Sequence, residues 1–342
     1  MAARSCSSGW GATAAPEAVD QRRRPAWADV ATAAQLGVSL VALGAVVWWA
    51  LRQDAPELPR SRTDGLVLLA AVAVYALATT ARAERWHRIV GRAGVRARRA
   101  DSYRLTTVGY MGNNVLPARS GDLLRAFLLA PLAGVRKRQV LGTVVAERIL
   151  DLLALGLVFA VVAYGVVPEL DVPKGGTALL FAVGVAGAIA AGVAVIALAR
   201  RRGALPRLRA LIRPLAAPTR ELASGHGAAL LGLSLVLWTL EAIVYLAVAE
   251  AVDVELGLLD ALYVVALTNL FALIPAAPGY VGTFDAAVLF AVGSLEASGS
   301  DALAYLVLLR FVLFVPITLV GLAFFVTRYG GWSRYRAAKL AS

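Results

Sequence analysis

Cysteine is almost missing from this sequence. Cys6 stands alone, which excludes a disulfide within the chain and a cysteine-built metal site. It sits in MAARSCSSG with no apolar run before it, which argues against a lipoprotein signal. Histidine is scarce as well. His87 and His226 lie far apart in two basic loops and are read as solvated side chains, since a metal site needs several donors together. Charged residues make up only 16% of the chain, and no polar segment is long enough for a separate soluble catalytic domain. Nothing resembles a nucleotide-binding loop, a nucleophile-elbow serine or a zinc motif. No catalytic residue, metal or cofactor is therefore expected.

What the chain has is apolar length. Of its 342 residues 59% are hydrophobic, and the mean hydropathy is +0.71. These values belong to an all-α polytopic membrane protein. The net charge of +12 invites a nucleic-acid reading, but the basic residues sit beside hydrophobic runs, as orientation signals do. No nucleic-acid partner is expected.

In chain order, residues 1–29 read as a disordered basic cytoplasmic tail. Residues 30–327 form the transmembrane domain, and 328–342 a second basic cytoplasmic tail. About six full spans are expected, at 30–51, 65–81, 140–167, 177–199, 228–249 and 302–327. Residues 82–104, rich in arginine, read as a basic helix on the cytoplasmic surface with Trp86 and Ile89 dipping into the interface. Positive-inside bias alone explains the same charges equally well. Residues 200–227 read as another arginine-rich cytoplasmic loop.

Two apolar stretches are broken. In 105–129, Asn113, Asn114, Pro117 and Gly121 interrupt the helix, and Arg119, Asp122 and Arg125 add charge. In 263–293, Asn269, Pro275, Pro278, Gly279 and Gly282 interrupt it, with Thr283 a candidate N-cap and Asp285 opening a new run. Broken backbone at membrane depth survives only against protein or a water-filled cavity. A pair of such segments in corresponding halves points to a transport site. The plain alternative for the first is a short cytoplasmic loop between ordinary helices.

Charge sets the topology. Most of the 34 lysines and arginines fall in the tails and basic loops, which places those segments and both termini in the cytoplasm. Basic segments flank the first broken stretch and acidic segments flank the second. The two are thus expected to be oppositely oriented re-entrant hairpins in an inverted repeat, their tips meeting near the midplane.

Inside the membrane, Asp122, Glu147, Asp151, Glu241 and Asp285 face Arg119, Arg125, Arg148 and Arg310. Asp122 and Arg125 share a helix face, as do Glu147 and Asp151. Bare carboxylates in lipid need partners, and Arg119, Arg125 and Arg148 are the candidates. Some of this charge is structural pairing. The sharper reading is a polar cavity for an anionic headgroup, because arginine's planar fork suits phosphate. Helix starts after Gly121 and Gly282 would aim their dipoles at it.

The run NNVLPARSGDLLRAFLL, then ERILD, then PAAPGYVGTFDAAVLF, then RFVLFVPITLVG, resembles the lysylphosphatidylglycerol synthase transmembrane-region family, flippase-like integral membrane proteins. Family patterns match Pro117, Arg119, Gly121, Asp122 and Arg125, then Glu147, Arg148 and Asp151, then Pro278, Gly279, Gly282 and Asp285, with Arg310 as the buried arginine of the last span. Two acids usually Glu are Asp here, at 122 and 285, which keeps the charge and shortens the reach.

The resemblance implies translocation of a lipid headgroup across the cell membrane. Its bifunctional members add a soluble aminoacyl-transfer domain, for which a chain ending at Ser342 has no room, so lysyl transfer is not expected. The lipid headgroup-binding residues expected are Asn113, Asn114, Pro117, Arg119, Gly121, Asp122, Arg125, Glu147, Arg148, Asp151, Pro278, Gly279, Gly282, Thr283, Asp285 and Arg310. The expected partner is an anionic phospholipid or a lipid-linked sugar. The rival readings are a membrane transferase and an accessory subunit serving a separate synthase or glycosyltransferase.

Overall fold

Ser61 and Asp64 set the start of the first long helix. Ser61 Oγ accepts from the Asp64 N–H at 3.0 Å and Asp64 Oδ2 accepts from the Ser61 N–H at 3.2 Å, a closed capping box. In the computed structural model this helix, α1, spans Arg62–Arg92 and ends just before Gly94, whose φ of 73° turns the chain. The structure describes residues 37, 40–41, 43–54, 56, 59, 61–116, 119–162, 225–272, 277–295, 297 and 299–331.

The expected surface helix at 82–104 is not what forms. α1 runs straight past Ala81, and Arg82, Arg85, Trp86 and Ile89 are all buried. Carboxylates on later helices receive the two arginines, so the helix has no reason to end at the first charge. Trp86 does not dip into an interface; its Nε1 donates to Thr143 Oγ1 at 3.1 Å. His87 also belongs to α1 rather than a loop, and its Nδ1 shares a hydrogen bond of 3.0 Å with Ser102 Oγ.

The other helices are α2 (Arg99–Val115), α3 (Ser120–Leu132), α4 (Lys137–Val161), α5 (Gly225–Glu250), α6 (Leu258–Phe271), a 3-10 turn (Pro278–Tyr280), α7 (Thr283–Gly293) and α8 (Gly299–Tyr329). No strand occurs among the described residues. The order long, short, break, short, long occurs twice, as α1 to α4 and as α5 to α8. α1, α5 and α8 are long and apolar enough to cross a membrane. α4 covers the start of the expected 140–167 span and carries its charges. Residues 43–50, part of the expected first span, are helical. The 1–29 tail, the 177–199 span, nearly all of the 200–227 loop and the end of the second tail lie outside the described residues.

Both breaks are narrower than the sequence suggested. Asn113 and Asn114 lie within α2 and Asn269 within α6. Two of these amides serve neighbouring helices instead of disrupting their own. Asn114 Nδ2 donates to Thr318 Oγ1 on α8 at 2.9 Å, and Asn269 Nδ2 donates to Glu241 Oε1 on α5 at 3.1 Å. Gly121 sits inside the first turn of α3, so that helix begins one residue before it. Pro117 is not among the described residues.

Gly121 closes the first hairpin. A Cβ there would lie 1.9 Å from the Gly109 carbonyl and 2.4 Å from the Asn113 nitrogen, both backbone atoms, and one on Gly112 would lie 2.6 Å from Gly121 Cα. α2 and α3 therefore pack backbone against backbone, the close approach that small residues allow. The second hairpin is α6 packed on α7. Each hairpin has its own apolar core. Trp86, Leu105, Leu124 and Phe325 belong to the first, and Tyr245, Tyr263, Val288 and Tyr305 to the second.

Candidate charged cavity

α3 brings Asp122 and Arg125 onto one face, and α4 does the same for Glu147, Arg148 and Asp151, by their spacing of three and four. Across these helices the charges close into a ring. Asp122 takes a two-pronged hydrogen bond from Arg148, Nε to Oδ2 at 3.1 Å and Nη2 to Oδ1 at 3.0 Å. Arg148 Nη1 donates to Asp151 at 3.0 Å. Asp151 accepts from Arg85 at 2.7 Å, and Arg85 reaches Glu147 at 3.3 Å. Glu147 accepts from Arg125 at 2.5 Å, and Arg125 returns to Asp122 at 3.2 Å. Three carboxylates thus alternate with three arginines. Ser234 Oγ takes a further Arg85 donor at 2.7 Å, and the Arg125 guanidinium lies 4.6 Å from the centre of the Trp86 ring.

Two separate ion pairs flank the ring. Arg82 on α1 pairs with Glu241 on α5, and Arg310 on α8 pairs with Asp285 on α7. Asp285 also caps its helix, its Oδ2 accepting from the Gly282 N–H at 2.8 Å. The N-cap is Gly282, with φ 87°, and not the expected Thr283. Thr283 is the first helical residue, and its hydroxyl donates to Tyr280 O at 3.3 Å. Arg310 donates as well to the Gly279 carbonyl at 3.2 Å and lies over Phe284 and Phe314.

Arg119 differs from the other five arginines. It forms the N-cap of α3 in a left-handed conformation, φ 53°, and forms no ion pair with a carboxylate among the described residues. Its Nη1 donates instead to the Ala272 carbonyl at the end of α6, at 2.7 Å, and its guanidinium lies 5.4 Å from the Tyr280 ring. One side chain therefore joins the two breaks.

Between the hairpins lies a cavity of about 80 Å³. That is room for several waters. Asn113, Asn114, Arg119, Arg148 and Asp151 line it. Asp122, Arg125 and Glu147 stand behind them in the ring. Asp285, Arg310 and Gly279 form a second cluster beside the cavity, joined to its wall through Phe284 and Phe314. Gly121 is committed to hairpin packing. Pro278 starts the 3-10 turn that contains Gly279.

Sequence reasoning placed Arg82 and Arg85 in a cytoplasmic basic segment, and it named Glu241 and Asn269 without joining them to Trp238 as one cavity wall. The expected partners of Glu147 and Asp151 were Arg119, Arg125 and Arg148. Arg125 and Arg148 do bind them, while Arg119 does not and Arg85 does. A signal was present. Ala71, Tyr75, Ala78, Arg82, Arg85 and Ile89 recur at steps of three and four, all buried. The inward stripe of α1 simply runs on through its arginines.

Buried paired charges, apolar helices and broken hairpins define a helical membrane protein with a polar interior. The match to the family described as the lysylphosphatidylglycerol synthase TM region covers residues 33–321, and the chain belongs to that family. Its members place it among membrane proteins of lipid handling. Comparison with curated proteins returns no match.

Proposed function

We propose that this protein carries an anionic phospholipid or a lipid-linked glycan from one leaflet of the cell membrane to the other. The observation that carries the reading is the meeting of two broken hairpins at one polar cavity, bridged by Arg119 and the Ala272 carbonyl. Discontinuous helices meeting over polar groups suit a midplane binding site. The doubled helix order supports an inverted repeat, with the hairpins re-entrant from opposite sides. The basic ends face the cytoplasm in this reading and gather headgroups from anionic lipid. Rocking of one hairpin against the other exposes the cavity to each side in turn.

The test is leaflet asymmetry in proteoliposomes of the purified chain with a panel of tail-labelled lipids. Faster redistribution of an anionic lipid than in protein-free vesicles is the expected result. Arg119→Ala and Asp285→Ala should abolish it while the protein still inserts. Full transport by both variants would refute the site. A chemically altered lipid would mean a transferase, and strict dependence on an added synthase would mean an accessory subunit.

A further inference from the structure

Among the described residues, the sign of the interior charge follows from its pairings. From the sequence, five acids faced four arginines, a surplus of one negative charge. The structure adds Arg82 and Arg85 to the same interior, and the surplus reverses. The six-membered ring of Asp122, Arg148, Asp151, Arg85, Glu147 and Arg125 is neutral. Arg82 with Glu241 is neutral, and so is Arg310 with Asp285. Arg119 is left over, an arginine without a carboxylate of its own among the described residues.

We infer that the cavity is built for a ligand carrying one negative charge, a phosphodiester, received by Arg119. This rests on the lipid-transport reading and narrows it.

Two of the arginines that line the cavity each keep an unused donor. Arg119 spends Nη1 on the Ala272 carbonyl, while its buried Nε has no hydrogen-bond partner. Arg82 lines the same cavity, and its buried Nη1 is also without a partner. A phosphate oxygen satisfies such a donor with a charge-assisted bond. The balance then selects among ligands. A monoanion leaves the interior neutral. A zwitterion brings no net charge, so the surplus stays. A dianion leaves one negative charge uncompensated inside the protein, where unpaired charge is costly. Among phospholipids the rule favours a neutral headgroup on a phosphodiester over a cationic or zwitterionic one. Among lipid-linked glycans it favours a sugar joined through one phosphate over one joined through two.

The experiment uses the full chain in nanodiscs, with lipid retention read by native mass spectrometry and transport read separately in proteoliposomes. The probes are phosphatidylglycerol as monoanion, phosphatidylcholine as zwitterion, and phosphatidic acid at pH 8.5 approaching the dianion. Retention of the monoanion at least tenfold above both others is expected. Arg119→Lys keeps that preference, because the charge remains, and Arg119→Gln loses it. Asn114→Asp places a carboxylate in the same cavity, cancels the surplus with Arg119 intact, and loses it too. Should Arg119→Gln fail to fold, this variant decides alone. Unchanged selectivity in the neutralised variants, or equal retention of all three lipids by the wild type, overturns the inference.

Selective retention without redistribution would overturn transport and leave the charge rule standing. Equal redistribution of every charge class would do the reverse. Millimolar dimethyl phosphate, a soluble phosphodiester, separates the sources of the same chemistry. Lipid that stays bound assigns the charge to a headgroup, and lipid that is displaced assigns it to a free phosphodiester; the monoanion rule holds in both cases.

Discussion

Asp122 and Asp285 occupy the same position in two different helices. Each is the third residue of a half-helix that starts from an N-cap with positive φ, Arg119 with φ 53° and Gly282 with φ 87°. Each is held by an arginine of the long helix that follows, Arg148 and Arg310, at separations of 26 and 25 residues. The doubled helix order thus extends to a doubled ion pair. The surroundings are not doubled. Arg148 continues into the charged ring, whereas Arg310 leans on a carbonyl and two phenylalanine rings.

That difference gives a stability order. Asp122→Asn leaves Arg148 without its two-pronged partner and opens the ring, which should cost about 3–5 kcal/mol, the range for breaking a buried pair. Asp285→Asn keeps an oxygen to cap Gly282 and leaves Arg310 its carbonyl and rings, so it should cost roughly half as much. Thermal unfolding in detergent reads both. A greater loss at 285 than at 122 would contradict the arrangement.

The Arg82–Glu241 pair allows a cleaner separation of stability from function. Either single change, Arg82→Met or Glu241→Leu, strands a buried charge and should cost about 3–5 kcal/mol. The double variant removes both charges and should regain most of that stability. It should not regain transport, since one cavity wall has lost its charge. A double variant as unstable as the singles would argue against direct pairing.

Gly121→Ala should prevent the first hairpin from closing. Its Cβ would meet backbone on α2, which cannot swing aside as a side chain can, so the penalty should exceed the ~1–3 kcal/mol usual for overpacking. Gly156→Ala, with nothing within 4 Å of the added Cβ, serves as the control. Monodispersity on size-exclusion chromatography and melting temperature should fall for the first and hold for the second.

Some of this architecture was legible in the sequence because it is local. Asp122 with Arg125, and Glu147 with Asp151, are one helical turn apart, and periodicity alone puts each pair on a common face. The breaks between the short helices were legible from their prolines and glycines. Arg85 was not, because its serine partner lies 149 residues away and its surroundings in sequence are basic. Arginines beside a hydrophobic run obey the orientation rule whether they end in water or in a core. The asparagines misled for a related reason. An amide weakens a helix only when its own backbone is the best available partner, and here Thr318 and Glu241 compete successfully for two of them.

The spacing of the Arg82–Glu241 pair also bears on biogenesis. Arg82 leaves the ribosome 159 residues before the carboxylate that neutralises it, and Arg85 leaves 62 and 66 residues before Glu147 and Asp151. Through that interval the charged half of α1 has no interior to enter. The ion pairs that hold this half of α1 inside the protein can form only once α4 and α5 have been made. The charged half of α1 is thus made early and completes its pairing late.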